Sequence, residues 1–152
     1  MIAKLLKFMQ IDDATKASAA TLSALLAPRI DGIIDQFYNK VQDFDISPHV
    51  TSQTVVALKV RQKQHWIELF RSQFEEDYLR NVRRIAMRHR DIELSPMWYV
   101  AGYMTLKLSF IEVILRSAHP TEIKGQLVKT LDKYIAIDMA LALSVYDTVV
   151  LD

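Results

Sequence analysis

The chain reads as an all-α protein, and three observations predict this. Only three glycines and four prolines occur in 152 residues, so turn-forming material is scarce and a few long helices are favoured over many short strands. Apolar residues recur at helical spacing, as in Leu79, Val82, Ala86 and His89 at i, i+3, i+7 and i+10. The breaks between apolar segments carry helix-capping residues: Asp12 or Asp13, Pro28, and the pair Ser95–Pro96. Hydrophobic residues make up 51% of the chain, ample for one core at this length. No internal repeat, low-complexity stretch or linker interrupts it, so residues 1–152 are expected to form one domain.

A short, mildly amphipathic helix is expected over residues 1–10. A second follows over 13–27, with apolar Ala20, Leu22, Leu25 and Leu26. Pro28 lacks the N–H a helix interior needs and suits a first turn, so it is read as a boundary. The next helix, over 28–43, carries Ile30, Ile33, Ile34, Phe37, Tyr38 and Val41 on one face. Asp45 to Val50, with Pro48, is a loop. A long helix is expected over 51–74, with Val55, Leu58, Trp66, Leu69 and Phe70 as its apolar positions. Its middle, KVRQKQH, is polar on most sides and is expected to face solvent, His65 included. Glu75 and Glu76 open the helix that leads to His89, where acids complement the helix dipole.

Pro96 then opens a helix to about Leu115. Between Met97 and Leu115 only Lys107 and Glu112 are charged. A stretch of about 19 mostly apolar residues approaches the length of a membrane span, but these two embedded charges favour a helix buried in protein. A loop around His119 and Pro120 precedes the last helix, over 121–150. That helix is broadly apolar: Leu127, Leu131, Ile135, Ile137, Met139, Leu141, Leu143, Val145, Tyr146 and Val149. Helices apolar on several faces need cover on several sides. A homodimer through the last two helices is therefore expected, as an antiparallel four-helix bundle about a two-fold axis. A deeply buried helix in a monomer is the other arrangement that satisfies the pattern.

Composition removes several function classes. There is no cysteine, which excludes disulfides, thiolate ligation, cysteine-held clusters and the C-x-x-C-H attachment of a c-type haem. It also suits a reducing, cytoplasmic setting. The net charge of +1 gives no broad field for nucleic acid or an anionic membrane. The apolar run at the N-terminus is too short for a secretory signal.

The segment YLRNVRRIAMRHRDIELSPMWYVAGY, residues 78–103, is the most informative. His89 lies on the apolar stripe of its helix, away from the arginines. Ten residues on, the next helix opens with Trp98 and Tyr99. On spacing alone, such a histidine is more often a core residue with a satisfied ring than a ligand. An inward imidazole with aromatic neighbours also meets the needs of a proximal haem ligand, which binds iron through one nitrogen and is held through the other. The pattern H-x(4)-L-x-P-x-W-Y-x-x-x-Y, here His89, Leu94, Pro96, Trp98, Tyr99 and Tyr103, resembles the proximal signature of the globin-coupled sensors, haem-containing gas-sensing domains related to protoglobins.

That resemblance extends along the whole chain. It implies a globin-like fold of six to eight helices, with an elongated N-terminal helix and no D helix. It implies haem b, with His89 as the proximal ligand to iron. Tyr99 falls where family members place a hydroxyl near the proximal imidazole, and Tyr38 matches a distal tyrosine of the B helix. A phenol there can donate one hydrogen bond to a polar diatomic ligand, favouring O2 over the less polar CO. Phe37 is expected at the haem edge or in the core. Leu58 matches an apolar gate residue of the E helix, where oxygen carriers have histidine, and Thr54 is a possible second donor.

The function implied is a haem-based sensor of O2, with CO and NO as further ligands, signalling through the dimer to an output module that these 152 residues do not contain. No extra acid–base pair stands near His89, so an enzyme acting on O2, NO or peroxide ranks second. A haem-free helical interaction module ranks third. His49 and His119 fall in loops. Arg80, Arg83, Arg84, Arg88 and Arg90 form a stripe that reads first as a solvated face, and otherwise as a contact for haem propionates or a partner.

Overall fold

A computed structural model describes the backbone of residues 2–150 and the side chains of residues 2–144. The backbone forms six helices: α1 (Ile2–Phe8), α2 (Asp13–Asp43), α3 (Val55–Arg71), α4 (Glu76–Asp91), α5 (Pro96–Arg116) and α6 (Thr121–Val150). There is no strand among the described residues. Val145, Tyr146 and Val149 lie outside the described side chains.

Asp12 caps α2, accepting from the Thr15 amide at 2.8 Å, and this contact draws its carboxyl below the usual range. The boundary expected at Pro28 is absent, for α2 runs through it as one helix of 31 residues. The ring of Pro28 and the residue four before it, Ala24, are both exposed. The carbonyl that loses its donor therefore faces water and not the core. On the opposite side Ala19, Leu22, Leu26, Ile30, Ile34 and Tyr38 make one unbroken buried stripe across the proline. Burying that stripe outweighs the roughly 3 kcal/mol that an interior proline costs.

The helix expected over 51–74 is shorter, because Thr54 caps it and residues 51–54 form a turn. Thr54 Oγ1 donates to His49 O at 2.7 Å and accepts from the Thr51 amide at 2.9 Å. No helix intervenes between α2 and α3. The Ser95 cap is as expected, with its hydroxyl accepting from the Met97 amide at 3.2 Å.

Helix α2 packs on α3, α5 and α6, and α6 also packs on α4 and α5. Trp66, Phe70, Phe110, Tyr103 and Tyr134 meet ring against ring where these helices cross. In α5, Tyr103, Leu106, Phe110 and Ile114 are buried in this core. Lys107 pairs with Asp132 of α6 at 3.3 Å, and Glu112 with Arg116 at 2.5 Å. Helices α3 and α4 make little direct contact. The space between them is open.

Candidate functional site

That space is a cavity of about 1490 Å³, larger than the few hundred to about 1,000 Å³ of common small-ligand pockets. All six residues selected from the sequence line it: Phe37, Tyr38, Thr54, Leu58, His89 and Tyr99. They come from α2, the 44–54 connection, α3, α4 and α5, so only the folded chain brings them together.

His89 stands in the last turn of α4. Its Nδ1 lies 2.9 Å from the Ile85 carbonyl. A carbonyl can only accept, so Nδ1 carries the proton and Nε2 carries the lone pair. Burial holds the ring below the usual imidazole range, opposed by the Ile85 bond. The neutral form, which is the ligating form, is therefore favoured. The helix ends just beyond it, with the Leu94 amide donating to His89 O at 3.0 Å and Glu93 in the left-handed region at φ 57. Tyr99 meets the imidazole edge-on, with 4.8 Å between ring centroids.

Tyr38 is 6% exposed, and burial pushes its phenol up. Its hydroxyl makes no hydrogen bond with any described residue and is not sealed from the cavity. Phe37 stands edge-on to Tyr38 at 5.3 Å and lies 3.5 Å from where a Cβ on Gly102 would project. A methyl group at position 102 would therefore sit in ordinary contact with that ring. Leu58 is half-buried on the wall. Thr54 is exposed at the rim, with its one proton held by His49 O, so its hydroxyl serves the turn.

The arginine stripe is part of the site. Arg80, Arg83, Arg84 and Arg88 line the opening, with Arg61 opposite, whereas Arg90 does not line it and pairs with Asp91 at 3.4 Å. Among the described residues, Arg83 and Arg88 have no ion pair. Phe44, Val60 and Met87 line the same opening with 68%, 61% and 37% of their surface exposed, so the rim is both cationic and apolar.

His65 differs from expectation. It is 5% exposed, and its Nε2 lies 2.9 Å from Asp138 Oδ2. Burial opposes charge on the ring, but the Asp138 carboxylate outweighs it and moves the imidazole upward. The polar run around it misled the reading, because α6 supplies its partner from 73 residues away. A signal was present: Leu58, His65 and Leu69 share one helical stripe. Asp138 was missed in the same way. It lies on the buried stripe Leu127, Leu131, Tyr134 and Ala142 of α6, and an acid on such a stripe needs partners.

A family model described as Protoglobin matches residues 1–149. The chain is 28% identical over 105 residues to the heme-based aerotactic transducer HemAT of Halobacterium salinarum; the match covers 67% of this chain and 22% of the transducer. The chain thus spans about a fifth of that relative's length. The globin domain of the Geobacter sulfurreducens globin-coupled sensor superposes with a TM-score of 0.83 at 15% identity, over 95% of this chain and 96% of that one. The globin domain of E. coli DosC, in its ferric form, gives 0.73 at 22% identity, over 93% and 94%. The fold is that of these globin domains, and the match along nearly the whole chain shows that the protein belongs to the protoglobin family.

Proposed function

We propose that this chain is a haem-based oxygen-sensing domain. One observation carries the reading. An imidazole already held through Nδ1, and a phenol whose hydroxyl binds no described residue, line the same cavity. The cavity fits the group that a globin fold implies. Its walls are largely apolar, with Phe37, Val41, Leu58, Trp66, Ile85 and Leu106 among them. Its rim offers guanidinium groups to the carboxylates of a porphyrin, and apolar side chains to its edge.

His89 would hold the iron through Nε2, with the Ile85 carbonyl fixing tautomer and ring orientation. Haem b, when bound, would supply ferrous iron able to take up O2, CO or NO. Tyr38 would donate its free proton to a polar diatomic ligand, which favours O2. Leu58 and Phe37 would exclude water from that side. Tyr99 would tune the imidazole from its edge. Signalling would pass through a homodimer of α5 and α6 to an output module, and the cysteine-free composition suits a cytoplasmic setting. The relative described as an aerotactic transducer supports a sensing role over a catalytic one.

The absorption spectrum of the purified protein titrated with hemin tests the reading. The expected result is a Soret band that is lost in His89→Ala. A folded, colourless protein that takes up no hemin would refute it.

A further inference from the structure

Behind the cavity, one carboxylate joins four helices. Asp138 of α6 is fully buried. Its Oδ1 accepts from the Tyr78 hydroxyl of α4 at 2.5 Å. Its Oδ2 accepts from the Tyr103 hydroxyl of α5 at 2.6 Å and from Nε2–H of His65 of α3 at 2.9 Å. A buried charge is costly unless it is paired and hydrogen-bonded. Burial raises the Asp138 carboxyl, but His65 and the two phenols together pull it below the usual range. It is therefore a carboxylate, which can only accept.

This fixes a direction along the neighbouring hydroxyls. Tyr103 has one proton, and it donates that proton in its hydrogen bond to Asp138. The Tyr99 and Tyr103 hydroxyls lie 3.3 Å apart, so towards Tyr99 the Tyr103 oxygen can only accept. Tyr99 is also the ring set edge-on against His89. A charge on α6 thus fixes what Tyr103 can offer the phenol that touches the imidazole on α4: an acceptor and no proton.

We propose that Asp138 is a positioning residue for the His89 side of the cavity: it holds the Tyr103 hydroxyl as an acceptor beside Tyr99 and so ties the ring that touches the imidazole to α6. The inference rests on the reading of His89 as the iron ligand. Tyr78 supplies the internal control, because its hydroxyl binds the same carboxylate but lies outside the path to His89.

The test is the iron–histidine stretching band in resonance Raman spectra of the ferrous, haem-loaded protein. Tyr103→Phe removes one hydroxyl and breaks the path. It should displace the band by several wavenumbers, and Asp138→Asn should displace it too. Tyr78→Phe should lower stability yet leave the band in place. In a Tyr99→Phe background, Tyr103→Phe should add no further displacement. A wild-type band in Tyr103→Phe, or an equal displacement in Tyr78→Phe, overturns the inference while the haem reading stands. Failure of the wild-type protein to take up hemin overturns both. Tyr103→Phe decides the matter even if Asp138→Asn does not fold.

Discussion

Tyr38 and His89 carry the site through what each leaves unpaired. The Tyr38 ring is buried, but its hydroxyl is not sealed from the cavity and binds no described residue. Such a group is kept where a ligand completes it. Tyr38→Phe should therefore stabilise the haem-free fold or leave it unchanged, while raising the O2 dissociation rate of the loaded protein several-fold in stopped-flow measurements. An unchanged rate would remove Tyr38 from ligand binding. His89 has the complementary property. Its folded pKa lies below the ordinary value of 6.5, so the unfolded chain binds the proton first as pH falls. Any stability that depends on the neutral ring is complete above about 6.5 and declines below it. In the haem-free protein, NMR titration should place the His89 midpoint below 6.5. A midpoint above it would mean that the ring is solvated or paired to an acid.

At the level of elements, α2 shows packing prevailing over local propensity. Pro28 sits inside the helix because its cost falls on the exposed side. Pro28→Ala restores a backbone donor and should raise stability by about 1 kcal/mol or more in denaturant unfolding. A loss of stability would mean that the proline is needed for the fit of α2 on α3 and α5. Helix α4 is held at both ends, by Tyr78 on Asp138 and by His89 beside Tyr99. Tyr78 anchors the first turn of α4, whereas the imidazole end in the last turn rests on α5. Four helix ends or connections place non-glycine residues at positive φ, namely Gln10, Asp45, Phe74 and Glu93. With so few glycines in the chain, these ends rely on surrounding contacts to hold an unfavourable backbone.

For the whole molecule, the surface that α5 leaves uncovered matters most. Leu108 and Leu115 are 63% and 53% exposed, and Ala140 of α6 is exposed as well. A second copy meeting the first along α5 and α6 would cover these groups. Sedimentation at micromolar concentration should show a dimer, and Leu108→Glu with Leu115→Glu should shift it to monomer without loss of helicity. A monomeric wild-type protein would end the proposal of a bundle across a two-fold axis.

The sequence by itself determined the helices, their order and the proximal motif, because periodicity, caps and fixed offsets are local properties of the chain. It also singled out Tyr38, Leu58, Phe37 and Tyr99, all of which line the cavity. Only the tertiary structure decided what α2 does at Pro28, which side of the arginine helix faces an opening, and where His65 belongs. Each of these depends on an element distant in the chain. A proline is tolerated or not according to which face is buried, and a polar side chain is solvated or buried according to whether a partner such as Asp138 arrives from another helix.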